Sequence, residues 1–115
     1  MQNKKLFLDY ILSNLEPHGP IKARAMFGGY GIYYGDVMFA LIAENVLYFR
    51  VDEQNRPDYL EHDSKPFVYS MGQKTVSLPY LELPEEILNN SEELSYWIKK
   101  AKDAAMRNKV AKKKK

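Results

Sequence analysis

The stretch Arg24–Glu53, RAMFGGYGIYYGDVMFALIAENVLYFRVDE, decides the fold. Gly28, Gly29 and Gly31 fall inside an aromatic and apolar run, and Gly35-Asp36 follows as a tight turn, although Asp-Gly is the favoured hairpin order and leaves the turn type open. Val37–Ile42 is almost continuously apolar, which fits a strand covered on both faces. Ala43-Glu44-Asn45 makes the next turn. In Val46–Val51, Leu47, Phe49 and Val51 share one face, and Val46, Tyr48 and Arg50 the other. This is the pattern of a β-meander, with its first strand placed at about residues 25–34. Glycines inside such a strand mark a bulge or a close backbone crossing. They are a weaker match to a phosphate cradle: neither GxxxxGK[ST] nor GxGxxG is present, and a strand rather than a helix follows.

Outward from this core, Leu8, Ile11, Leu12 and Leu15 form the buried stripe of a first helix starting near Asn3 and ended by Pro17, Gly19 and Pro20. Downstream, a short helix begins near Arg56-Pro57 and stops before Pro66. Phe67–Ser70 and Thr75–Leu78 read as a hairpin turning at Met71–Lys74. Pro79 removes a ladder donor and puts the second of these strands at an edge or at a bend. Pro84-Glu85-Glu86 opens a helical turn, and Leu94, Trp97, Ile98, Ala101 and Ala105 form the stripe of a closing helix. The expected fold is an α+β two-layer domain: a mainly antiparallel five-stranded sheet with helices on one face, in the order α-β-β-β-α-β-β-α.

At 115 residues the chain makes one domain, spanning residues 1–111, with 112–115 as a disordered basic tail. The net charge of +2 hides an asymmetry. Residues 99–115 hold nine basic groups and one acid, net +8, whereas residues 1–98 are net −6. The absence of cysteine excludes disulfides, thiolate metal sites and a thiol nucleophile, and fits a cytoplasmic protein. The N-terminus lacks the cleavage pattern of a signal peptide, and no apolar run reaches membrane-spanning length.

Catalytic chemistry finds little support. His18 and His62 lack metal-ligand spacing, Ser64, Ser70 and Ser77 lack a nucleophile context, and no carboxylate pair stands out. No enzyme activity, metal or cofactor is expected. Binding chemistry is better represented. Arg24 can present a guanidinium to a phosphate or carboxylate, or pair within the chain. Nine tyrosines include Tyr33, Tyr48 and Tyr69 on expected strands, candidates for a protein-contact face and a two-fold homodimer. Lys109 and Lys112, Lys113, Lys114 and Lys115 can contact nucleic-acid phosphates without reading sequence.

Arg24–Tyr33 (RAMFGGYGIY), Met38–Ile42, Leu47–Asp52, Pro66–Tyr69, Ser77–Tyr80, Leu83-Pro84, Trp97 and Ala101 together resemble the N-terminal domain of the TfoX/Sxy competence regulators over nearly the whole chain. The resemblance marks Arg24, Met26, Phe27, Gly28, Gly29 and Gly31 as the family-motif loop. It implies a two-layer fold similar to secretion chaperones and a role in regulating natural transformation. It also implies a protein partner in transcription, since the full-length regulators act alongside the cyclic-AMP receptor protein. Those proteins carry a second, helical domain. After Trp97 this sequence holds only one helix and a lysine tail, which puts transcriptional activation by it alone in question.

Overall fold

A computed structural model describes residues 4–26 and 28–113, with the side chains of Met71 and residues 110–113 outside the description. The elements run α1 (Lys4–Leu15), β1 (Ile21–Met26), β2 (Gly29–Tyr34), β3 (Val37–Ala43), β4 (Val46–Arg50), α2 (Arg56–Leu60), β5 (Pro66–Met71), β6 (Lys74–Glu82), α3 (Glu85–Leu88) and α4 (Ser91–Lys113), with a 3-10 turn at Glu16–His18 after α1. The sheet has six strands rather than the expected five, in the spatial order β1-β2-β3-β4-β6-β5, with every neighbouring pair antiparallel.

The extra strand comes from the segment expected to be one bulged strand. Met26 pairs with Gly29, and Gly28 just before Gly29 is a turn residue with a φ of +77°. A side chain is penalised in that conformation. The glycine motif is therefore a hairpin turn. β1 alternates Ile21 and Ala23 on the core side with Lys22 and Arg24 on the other, a period-two signal carried by small and charged residues.

A real bulge lies one hairpin later. Ile32 pairs with Ala40 and Tyr33 with Met38, which leaves Phe39 without a partner on β2. The inserted residue changes the parity of β3. Phe39, Ala40 and Ile42 enter the main core, while Leu41, with Met38 and Ala43 packed about it, belongs to a second cluster. The unbroken apolar run of β3 is thus explained by one strand serving two clusters.

β6 is interior and not an edge strand. Its ladder with β4 ends at the Arg50–Tyr80 pair, and Val51 then donates to the Pro79 carbonyl at 2.9 Å. Proline has no N–H to return that bond, so it is tolerated where the ladder stops.

The main core joins Ile11 and Leu15 of α1, Tyr59 of α2, Ile87 and Leu88 of α3 and Leu94, Trp97, Ile98 and Ala101 of α4 to one sheet face. All four helices therefore lie on that face. Trp97 is 6% exposed, its ring edge-on to Tyr59 at 4.6 Å. α4 stays helical through Lys113, where the composition predicts a disordered tail from Lys112. Lys114 and Lys115 lie outside the described residues. Among the described residues no helix is long and apolar enough to cross a membrane.

Candidate interaction face on the sheet

The face opposite the helices is built from alternate strand residues. Leu41, Phe67 and Tyr80 are buried at its centre, with Met38, Ala43, Tyr48, Tyr69 and Leu78 packed around them. These three are 7–8% exposed although no helix residue joins their cluster. The covering comes from curvature. A groove of about 260 Å³ on this face is lined by Met26 from edge strand β1 and Phe67 from edge strand β5, together with Met38, Leu41, Leu78 and Tyr80. Residues from both sheet edges meet around one groove, so the sheet curls towards its helix-free side.

The glycines of the motif do three different jobs. Gly28 makes the turn, and its carbonyl accepts from Lys4 Nζ at 3.2 Å. Gly29 lies under β3: a Cβ there would stand 2.0 Å from the Ile42 carbonyl oxygen. Gly31 sits beneath the groove, where a Cβ would be 3.0 Å from Met26 Sδ and Cε and 3.2 Å from Met38 Cε. The methionine ends fold into the space it leaves. Phe27 lies outside the described residues.

Two arginines border this face. The exposed Arg24 guanidinium lies 5.9 Å from the centre of the Tyr33 ring, and that of Arg50 lies 5.6 Å from the centre of Tyr80. Such contacts hold a guanidinium flat over an aromatic face. Arg50 Nε is buried with no hydrogen-bond partner. Among the described residues neither arginine forms an ion pair; the pairs are His62–Glu86, Lys99–Asp103, Lys100–Asp58 and Arg107–Asp52. Burial raises the pKa of Tyr80, an effect partly offset by Arg50. The acids lie towards Tyr48, whose pKa is raised by burial and then by Glu82 and Glu44.

The expected aromatics all reach this face, but they are half-buried in it rather than free upon it. Tyr48 packs on Phe67 at 5.2 Å and Tyr69 on Phe67 at 6.5 Å, while Tyr33 carries Arg24. Lys109 is exposed on α4, far along the chain from the sheet-face motif; Lys112 and Lys113 continue that helix in their backbone. Nothing in the structure brings Lys109 to the sheet face. His62 stands against Trp97 at 5.7 Å with Glu86 3.5 Å from its Nδ1, a packing role. Among the described residues no group of three or more metal-ligating side chains converges.

Sequence reasoning missed Met38, Leu41, Leu78, Tyr80 and Arg50 as neighbours. The Phe39 bulge hides the alternation of β3, and the curl of the sheet leaves no mark in local periodicity. The apolar run of β3 was the available signal, since it implied burial on both faces.

Comparison with known proteins agrees with this architecture. The sequence model of the TfoX N-terminal domain matches residues 13–105. The chain is 30% identical to Protein Sxy of Escherichia coli (strain K12) over 91 residues, which is 79% of this chain and 44% of that protein. It therefore spans less than half the length of the curated relative it matches. With the match covering both the glycine hairpin and the closing helix, the chain belongs to the TfoX N-terminal domain family.

Proposed function

We propose that this protein is a competence-related regulator that works through protein contacts at the helix-free sheet face, and not through catalysis. The observation that carries this reading is the composition of that face. It combines half-buried tyrosines with two guanidinium groups, Arg24 and Arg50, that no carboxylate pairs among the described residues. Tyrosine and arginine are the residue types enriched where proteins meet. The family supplies the process, regulation of DNA uptake, and the face supplies the means. Cytoplasmic action and a partner among the transcription machinery belong to the same proposal.

The test is transcription of DNA-uptake genes in cells lacking the gene for this chain. Restoring the wild type should restore the transcript level. A variant with Arg24→Ala and Tyr33→Ala, melting as the wild type does, should not. Unchanged transcripts after deletion, or full rescue by the variant, would overturn the proposal.

A further inference from the structure

We propose that the outer edge of β5 docks a second copy of this chain, the two β5 strands pairing antiparallel about a two-fold axis. The inference goes beyond the regulatory reading and can fail separately from it, since Arg24 and Tyr33 lie on β1 and β2.

β5 closes one side of the sheet and pairs only with β6. Two residues, Gly72 and Gln73, separate the paired Met71 and Lys74. A two-residue hairpin loop is closed by a hydrogen-bonded pair, and such pairs alternate along an antiparallel ladder. Phe67 and Tyr69 therefore turn their amides towards β6, whereas Val68 and Ser70 turn theirs outward. Among the described residues no hydrogen bond from outside the ladder reaches Val68 or Ser70. Both are exposed, Val68 by 47%. A groove of about 460 Å³ is lined by Phe67, Val68 and Ser70 together with Lys4, Gly28 and Glu44. Successive strand residues point to opposite faces, so a space touching both Phe67 and Val68 lies along the edge rather than over one face. It leaves room for an incoming strand.

The charge pattern identifies the occupant. Edge strands are commonly guarded against pairing by charged side chains. The opposite edge of this sheet is guarded in that way. β1 carries exposed Lys22 and Arg24, and antiparallel self-pairing about Ala23 would set one against the other, like charge to like charge. The far part of β6 lies beyond its ladder with β4, but it opens with the exposed Lys74. β5, Pro66–Met71, holds no charged residue. Charge complementarity is a common means of selecting a foreign protein, and β5 offers none, whereas an uncharged strand meets no repulsion from its own copy. An axis through Tyr69 sets Val68 opposite Ser70 of the second copy, and each such pair exchanges N–H···O bonds in both directions. The strand's proline is its first residue, where a missing N–H leaves this pairing intact. One pair of six-residue strands is a small interface, so the association depends on concentration.

Light scattering on the full chain from micromolar to millimolar concentration, with amide hydrogen exchange followed by NMR, tests the proposal. The mass should rise from 13.4 kDa towards twice that value. Exchange at Val68 and Ser70 should slow in step with the dimer fraction, while Phe67 and Tyr69 stay protected by β6 at every concentration. Val68→Pro removes an amide that β6 does not use, so the variant should fold and keep the monomer mass throughout. If it does not fold, Val68→Lys takes its place, guarding the edge with a charge at an exposed position. A wild-type chain that stays monomeric would overturn the proposal. So would a dimer that survives in the folded variant, or one whose slowed amides are those of β1 or of Thr75 and Ser77 in β6.

Discussion

Arg107 grips Asp52 by both carboxylate oxygens, Nε to Oδ2 at 2.6 Å and Nη2 to Oδ1 at 2.9 Å, and so ties the last turns of α4 to the loop leaving β4. Asn55 completes that loop: buried, it accepts from the Asp52 amide at 2.8 Å and donates to the Arg50 carbonyl at 3.0 Å. Lys100 reaches Asp58 at 2.8 Å one helical stretch earlier. The basic helix is thereby anchored to the acidic body by specific pairs.

The Arg107 hydrogen bond is the main reason that the Asp52 carboxyl is held below the ordinary aspartate range. A depressed folded-state pKa adds stability that is complete above the unfolded value, about 3.9, and is lost as pH falls through the folded value. Both side chains are about a third exposed, so solvent screening limits the gain. Arg107→Ala should cost about 1 kcal/mol at neutral pH. Urea melts of both proteins from pH 7 down to pH 2 should show the difference shrinking on the acid side. A gap that stays constant with pH would remove the pair as its source.

The three motif glycines should separate by mechanism. Gly29→Ala drives a methyl into the Ile42 carbonyl oxygen, a backbone atom that cannot turn aside, and should cost at least about 3 kcal/mol. Gly28→Val is strained by its positive φ, at about 1–2 kcal/mol. Gly31→Ala meets only methionine ends and should stay within about 1 kcal/mol of wild type. Thermal melts showing the same loss for all three would contradict this order.

Trp97 is the sole tryptophan and sits in the core between α4 and α2. Trp97→Ala should cost about 3–5 kcal/mol. Native fluorescence should be blue-shifted from that of indole in water and move red on unfolding. Emission at the position of free indole in the native protein would mean that α4 is not docked.

Tyr59 is buried against Trp97, and its hydroxyl has no hydrogen-bond partner among the described residues. Burial pushes its pKa far upward, with Asp58 adding to the effect. Tyr59→Phe removes an unsatisfied polar atom and keeps the ring, so it should leave stability unchanged or raise it by up to about 1 kcal/mol. A loss above 1 kcal/mol in urea titration would reveal a partner for that oxygen, such as an ordered water.

The helices and the β3–β4 meander were legible because their burial is periodic: Ile11 and Leu15 in α1, Leu94, Trp97 and Ile98 in α4, and Leu47 and Phe49 in β4 all face the core as their spacing requires. β1 was not legible as a strand of its own. Ala23 and Ala25 give little hydrophobic signal, and a turn at Gly28 flanked by apolar residues resembles a strand interior. The pairing of Arg50 with Tyr80 depends on β6 lying beside β4, a choice of neighbour that neither segment's own pattern encodes. The same holds for Met26 and Phe67, which meet only because the two sheet edges curl together.

The single unpaired residue at Phe39 also constrains how this chain can change length. Every position of β3 beyond it owes its orientation to that one insertion. Deleting one residue there would exchange the inward and outward sets of the strand at a stroke, sending Leu41 towards the helices and Ile42 towards the groove. Substitutions in β3 can be absorbed one at a time, whereas a one-residue deletion acts on all of its later positions together. Among functional descendants of this chain, the number of residues between Tyr33 and Leu47 should therefore drift more slowly than their identities.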